Sequence, residues 1–207
     1  MTNQAQRIIS SLILAPLFIL LIYLGDFYFI FLLSVIFFLA GYEIVKINSL
    51  YFKFLISIVF TIFLLSFYEI RYLENGFNLI LFIISITWLS DVGGYVFGKF
   101  FKGKKISVIS PNKTYVGFVG SLVLSQASII ILLNSKISFY NFFFYNLFFI
   151  AFCSLIVILG DLFFSFCKRK CNIKDYSNII PGHGGIFDRF DGMIFLVIFF
   201  NLYIKVL

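Results

Sequence analysis

Carboxylates stand in this chain where an apolar sequence has no ordinary use for them. Glu43, Asp91 and Asp161 fall inside apolar segments, and Asp188 and Asp191 stand where the last one begins. A carboxylate at the centre of a membrane helix costs about 2.5–3.5 kcal/mol on insertion scales, so it marks a site or a partner. Asp91 comes eight residues before Lys99, and Asp161 seven before Lys168. At the helical rise both stand roughly 10–12 Å from a basic edge. Three segments thus carry carboxylates to a similar depth. Asp161, Ser165 and Lys168 follow i, i+4, i+7 spacing and share one helix face. Leu162, Phe163, Phe164 and Phe166 between them suit lipid or packing. Such a polar stripe implies a bundle interior or a hydrated cavity, the plainer alternative being a helix–helix hydrogen bond. Gly94 and Gly98, after Asp91, have small-residue spacing that points to close helix packing rather than catalysis.

A second cluster lies in the polar stretch before the last apolar segment. Pro181, Gly182, Gly184 and Gly185 surround one histidine, His183, with small or rigid residues. Glycines let backbone N–H groups turn toward an anion, and a helix start adds favourable partial charge. Lys168, Arg169, Lys174 and Arg189 add positive charge, and Asp188 and Asp191 are i, i+3 on the new helix. Together these suit a phosphate ligand with Mg²⁺, which uses one or two carboxylates plus phosphate oxygens. A basic loop that merely caps a helix would explain Arg189 and the lysines, but not the glycine–histidine run beside two aspartates. Zinc is a poorer reading. Cys167 and Cys171 with His183 offer no fourth ligand, and Cys153 and Cys167 read as small hydrophobes.

The elements that must position these groups are membrane helices. The chain of 207 residues is 62% hydrophobic, 22% aromatic and 12% charged, with a mean hydropathy of +1.08. Soluble domains are about 45–50% apolar and about 25% charged. Seven apolar segments are drawn at Ile8–Leu24, Phe27–Val45, Phe54–Tyr68, Phe77–Phe97, Tyr115–Leu133, Phe142–Phe166 and Phe190–Leu207. In water their Phe-rich, β-branched character would favour strands. In lipid the backbone must satisfy itself internally, so helix wins. The first segment lacks a small-residue cleavage site and is read as a retained helix rather than a signal peptide. With the N-terminus inside, thirteen of the sixteen Lys and Arg residues fall on the inner side and only Arg71, Lys136 and Lys205 outside. That satisfies the positive-inside rule. Much of the net charge of +7 is therefore topology rather than a nucleic-acid footprint. Asp26, Glu69 and Glu74 fall in outer loops and need no explanation. The expectation is an all-α integral membrane protein. Its single domain, 1–207, is a bundle of about seven transmembrane helices with a polar cavity open to the cytoplasmic side.

The stretch from Ser165 to Asp191 resembles the signature of the phosphatidate cytidylyltransferase (CDP-diacylglycerol synthase) family. The matching positions are Ser165, Lys168, Arg169, Lys174, Asp175, Ser177, Ile180, Pro181, His183, Gly184, Gly185, Ile186, Asp188, Arg189, Phe190 and Asp191. Cys167 departs, standing where a larger apolar residue is usual. Upstream, Asp91 with Gly93 and Gly94, then Ser110, Pro111, Lys113, Thr114 and Gly117, continue the likeness. Val116 stands where the family usually has Glu. Arg7, the Leu14–Pro16 run and the Ala40–Glu43 run are also similar. The chain is shorter than typical relatives, and one or two helices of the N-terminal half are expected to be missing.

The resemblance implies transfer of a cytidylyl group from CTP to phosphatidic acid, in the cell membrane, with the catalytic loops cytoplasmic. It implies a paired metal centre on Asp161 and Asp188, holding Mg²⁺ and a second ion, either magnesium or a monovalent cation such as K⁺. The catalytic set is expected at Asp161, Asp188, Lys168, Arg169, His183 and Arg189. Substrate binding is expected at Ser110, Lys113, Thr114, Ser165, Lys174, Asp175, Gly184, Gly185, Asp191 and Asp91. His183 either donates to a phosphate or orders the glycine turn. Membrane lipid surrounds the protein, a homodimer is compatible, and nucleic acid is not a partner. Other readings fare worse. Gly98–Lys105 nearly spells a phosphate loop but follows a membrane helix, not a strand. Asp188, Asp191 and Gly192 open like the CDP-alcohol phosphotransferase motif, but an acid-free tail follows. A transporter would show pseudo-repeated halves. A degenerate, scaffolding member of the family would suit Val116 and the short chain.

Overall fold

The computed structural model describes residues 3–101, 103–105, 113–135, 137, 139–140, 142–179 and 184–206. Among them the chain forms eight α-helices: α1 (Asn3–Leu24), α2 (Asp26–Val45), α3 (Leu50–Arg71), α4 (Gly76–Phe101), α5 (Tyr115–Ser125), α6 (Ile129–Ser135), α7 (Phe143–Lys170) and α8 (Phe187–Val206). A 3₁₀ turn at Gln126–Ser128 joins α5 to α6, making one apolar rod over Tyr115–Ser135. Every expected segment is therefore a helix. Five of these spans, from α2 to α7, are long and apolar enough to cross a membrane, and the apolar part of α1, Leu12–Leu24, is shorter. α8 carries Asp188, Arg189, Asp191 and Lys205 at its ends. The third span is longer than the hydropathy boundary suggested, because helical hydrogen bonding continues through polar flanks that hydropathy trims. Lys105 and Thr114 pair in an isolated antiparallel bridge.

Large apolar side chains face outward, with Phe38, Phe144 and Phe148 each more than 70% exposed. A water-facing surface rarely shows that, and lipid suits it. Inside, Phe29, Phe63, Phe67, Phe82, Phe187 and Phe200 are fully buried. Phe63 stacks on Phe67 with ring centroids 5.6 Å apart.

Lipid offers no hydrophobic drive between helices, so close backbone approach must hold them together. On α4, Gly93 and Gly94 face Gly117, Gly120 and Ser121 of α5. A Cβ on Gly94 would stand 2.9 Å from Ser121 Oγ, and one on Gly98 3.2 Å from Thr114 Oγ1. The packing role expected of that glycine pair is thus found. Ser121 Oγ donates to the Ser90 carbonyl at 2.7 Å, and Ser90 Oγ meets Ser154 Oγ of α7 at 3.1 Å. α7 and α8 touch through Gly160, where a Cβ would lie 2.8 Å from the Asp191 carbonyl, and through Gly192, packed on Val157. Because Asp161 and Asp191 adjoin these glycines, the closeness of the helices sets the closeness of the carboxylates.

The end of the bundle opposite those carboxylates is tied by its own polar contacts. Gly25 turns α1 into α2 at φ 69°. Arg71 donates from Nε to the Ile22 carbonyl at 2.7 Å and from Nη2 to the Tyr23 carbonyl at 3.2 Å. That satisfies acceptors orphaned at the end of α1. Glu69 corrects the expectation that it lies in an outer loop. It sits within α3, and its Oε2 accepts from Asn201 at 2.5 Å and Lys205 at 2.6 Å, joining α3 to α8. A polar residue one turn inside a helix end reads as loop in sequence, yet the neighbouring helix supplies its partners.

Candidate active site

The carboxylates of three helices converge at the end of the bundle that the sequence marks as basic. Asp91 of α4 lies within electrostatic reach of Asp161, Lys113 and Arg189. Asp191 of α8 lies within reach of Asp161, Asp91 and Lys168. Asp161 forms an ion pair with Lys113 and accepts from Ser165 Oγ at 3.3 Å, the i, i+4 partner on its own face of α7. Asp91 is exposed, while Asp161 and Asp191 are half-buried. Among the described residues no three His, Cys, Asp or Glu side chains close into a metal-holding group.

Asp188 stands apart from that trio in its contacts. In the first turn of α8, its Oδ1 accepts from Lys168 Nζ at 2.7 Å. Its Oδ2 accepts the backbone N–H groups of Tyr176 and Gly185, both at 3.0 Å. A carboxylate in that first turn meets the positive end of the helix, while its two backbone bonds tie down residues that precede α8. The Lys168–Asp188 pair is well enclosed, its side chains only 14% and 7% exposed. Lys168 Nζ also lies 5.7 Å from the centre of the Tyr176 ring. Burial pushes the Tyr176 phenol above the usual tyrosine range, so it stays neutral and donates to the Phe164 carbonyl at 3.4 Å.

The other expected residues are placed as follows. Thr114 caps α5, its Oγ1 accepting the Gly117 N–H at 3.0 Å. Val116 packs on Gly103, where a Cβ would meet its Cγ2 at 2.5 Å. Arg169, Lys174, Asp175 and Arg189 are exposed on this face, and Gly184 turns with φ 85°. Ser110 and His183 lie outside the described residues. Sequence reasoning marked Glu43 as a carboxylate in an apolar segment but gave it no role. It is fully buried, and its Oε1 accepts from Ser177 Oγ and the Ile186 N–H, both at 2.7 Å. Its Oε2 accepts the Phe187 N–H at 3.1 Å. The cost of burying that charge was the signal that could have found it. A hollow of about 400 Å³ lined by Ile30, Leu33, Phe37, Phe38, Leu64 and Tyr68 is apolar and belongs to the opposite half of α2 and α3.

The arrangement offers alternating negative and positive groups at one membrane-proximal face. It can hold a polyanion on lysine and arginine while keeping carboxylates beside it for a cation. Comparison with known proteins identifies a family. The sequence pattern of the cytidylyltransferase family matches residues 47–207. The phosphatidate cytidylyltransferase of Staphylococcus haemolyticus is 39% identical over 141 residues, covering 66% of this chain and 52% of that protein. The enzyme of the same name from Staphylococcus saprophyticus is 42% identical over 137 residues, with 65% and 51% covered. That of Staphylococcus aureus (strain COL) is 40% identical over 141 residues, with 66% and 52% covered. The chain spans about half the length of the curated relatives it matches.

Proposed function

The chain belongs to the cytidylyltransferase family, and from that premise we propose that it transfers a cytidylyl group from CTP to phosphatidic acid in phospholipid biosynthesis. An oxygen of the lipid phosphate attacks the α-phosphorus of CTP. The bond from that phosphorus to the bridging oxygen breaks, pyrophosphate leaves with the electron pair, and CDP-diacylglycerol remains. The observation that carries the reading is the double pairing of Lys113 with Asp161 and Lys168 with Asp188, beside Asp91 and Asp191, at one end of a multi-pass membrane bundle.

The nucleophile is already an anion, so no strong general base is needed. The obstacle is bringing two polyanions together. Lys113, Lys168, Arg169, Lys174 and Arg189 lower that repulsion, Arg by bidentate contact and Lys as a point charge. Ser110, Thr114, Ser165, Asp175, Gly184, Gly185, Asp91 and Asp191 surround the substrates in this reading, and His183 faces a phosphate or orders its turn. Carboxylates are the kind of oxygen donor that magnesium takes, one or two at a time beside phosphate oxygens. Asp161 and Asp188 each carry a lysine ammonium, which marks both as places where positive charge is held. These two would hold the ion, with a second cation, magnesium or potassium, alongside. When bound it would neutralise phosphate charge and stabilise the leaving group. The excess of basic residues at this end supports a cytoplasmic orientation, where soluble CTP and the lipid headgroup meet.

The test is conversion of phosphatidic acid to CDP-diacylglycerol by purified protein in detergent, with and without Mg²⁺. Magnesium-dependent product is expected, with Asp161→Asn and Asp188→Asn each lowering kcat by about 100-fold or more in folded protein, as loss of a charge-stabilising group does. Activity that survives both substitutions overturns the metal assignment. Absence of product from folded wild-type protein overturns the reaction.

A further inference from the structure

Glu43 is a buried carboxylate with no part in the reaction as drawn above. It lies near the end of α2, fully enclosed, and a charge so placed persists only with dedicated partners. Among the described residues its three hydrogen bonds go to one neighbouring region. Ser177 precedes the glycine–histidine run, and Ile186 and Phe187 follow it, Phe187 being the first residue of α8. Asp188 makes the matching pair of contacts one residue away on each side, to Tyr176 and Gly185. Two carboxylates from two helices therefore grip the same two backbone segments. Gly185 sits between them, where a Cβ would come within 2.5 Å of Glu43 Oε1, so only glycine leaves room for the grip.

We propose that Glu43 is a positioning residue. It caps α8 from a different helix, fixes the start of α8 against Tyr176 and Ser177, and so sets Asp188 against Lys168 and Asp191 beside Asp161. It touches neither substrate. Its effect is preorganisation, since groups already ordered need not be ordered when ligand binds. The inference rests on the cytidylyl transfer proposed above and adds to it that CTP is the substrate held beside the start of α8.

The experiment compares wild type, Glu43→Gln and Ser177→Ala in detergent by steady-state kinetics and by hydrogen–deuterium exchange. Gln keeps the length of Glu43 but presents an N–H₂ to one of the donors. Glu43→Gln is expected to raise KM for CTP by about 10-fold, with KM for phosphatidic acid within about 2-fold of wild type and most of kcat recovered at saturating CTP. Peptides over 173–179 and 184–192 should exchange faster, while α3 peptides do not change. Ser177→Ala, which deletes a single donor, should show the same pattern at about 3-fold and serves if Glu43→Gln does not fold. A fall in active protein with unchanged KM for CTP and unchanged exchange overturns the proposal, because that is what a merely structural residue would do. Wild type without cytidylyl transfer sinks the functional reading instead. In that case faster exchange in Glu43→Gln still upholds the grip on α8, and unchanged exchange removes it as well.

Discussion

Two lysine–aspartate pairs at the same end of the bundle differ in what surrounds them, and their residues should fail differently. Lys168 and Asp188 are 14% and 7% exposed, and Asp188 also holds two backbone N–H groups. Lys168→Met strands an enclosed carboxylate, which costs about 3–5 kcal/mol. A large drop in the thermal unfolding midpoint in detergent is expected. Lys113 and Asp161 are 23% and 28% exposed, so solvent takes up part of the loss. Lys113→Met should cost about 1 kcal/mol yet lower cytidylyl transfer at least about 10-fold, because the charge is lost where phosphate would bind. Equal melting shifts in the two variants would contradict this division.

At the scale of helices, function depends on how near two backbones come. Gly160 lets α7 meet α8, and a side chain there would collide with the Asp191 carbonyl and with the Phe195 ring at 3.1 Å. Gly160→Val should cost about 1–3 kcal/mol in overpacking and, by separating Asp161 from Asp191, remove most activity. Gly41 on α2 provides the contrast, since a Cβ there would meet nothing within 4 Å. Gly41→Ala should be neutral or stabilise by up to about 1 kcal/mol, the helix-propensity difference. Thermal unfolding and the transfer assay on both variants check this. A Gly160→Val protein with wild-type activity would show that the helix contact does not set the carboxylates.

The whole molecule has two polar ends and an apolar waist. One end joins α1, α3 and α8 through Arg71 and the Glu69–Asn201–Lys205 cluster. The other gathers Glu43, Asp91, Asp161, Asp188 and Asp191. Lys and Arg crowd the second end, and the positive-inside rule supports the proposal that it is the cytoplasmic one. A membrane-impermeant maleimide should therefore label Glu74→Cys in intact cells and Asn178→Cys only after permeabilisation. Both positions are exposed, and the native Cys153, Cys167 and Cys171 are buried. The reverse pattern would invert the proposed topology.

Much of this was legible in the sequence because lipid simplifies the problem. Apolar runs must become helices, so all seven segments were found, and their charges set which ends lie together. The shared depth of Asp91 and Asp161 followed from counting residues along helices whose rise is fixed, whereas Asp188 and Asp191 were marked together at the start of the last segment and counting did not say which of them joins that pair. The packing role of Gly94 and Gly98 followed from spacing alone. Pairwise choices were not legible, because they depend on which helix faces stand opposite. Counting could not tell that Asp161 takes Lys113 while Asp188 takes Lys168, nor that Thr114 caps α5. Nor could it assign Glu43, whose partners lie more than 130 positions away in the chain. Composition and periodicity decided the bundle and which of its ends is basic. The tertiary structure alone decided which charge meets which, because burial makes each carboxylate take whatever donor the neighbouring helix brings within reach.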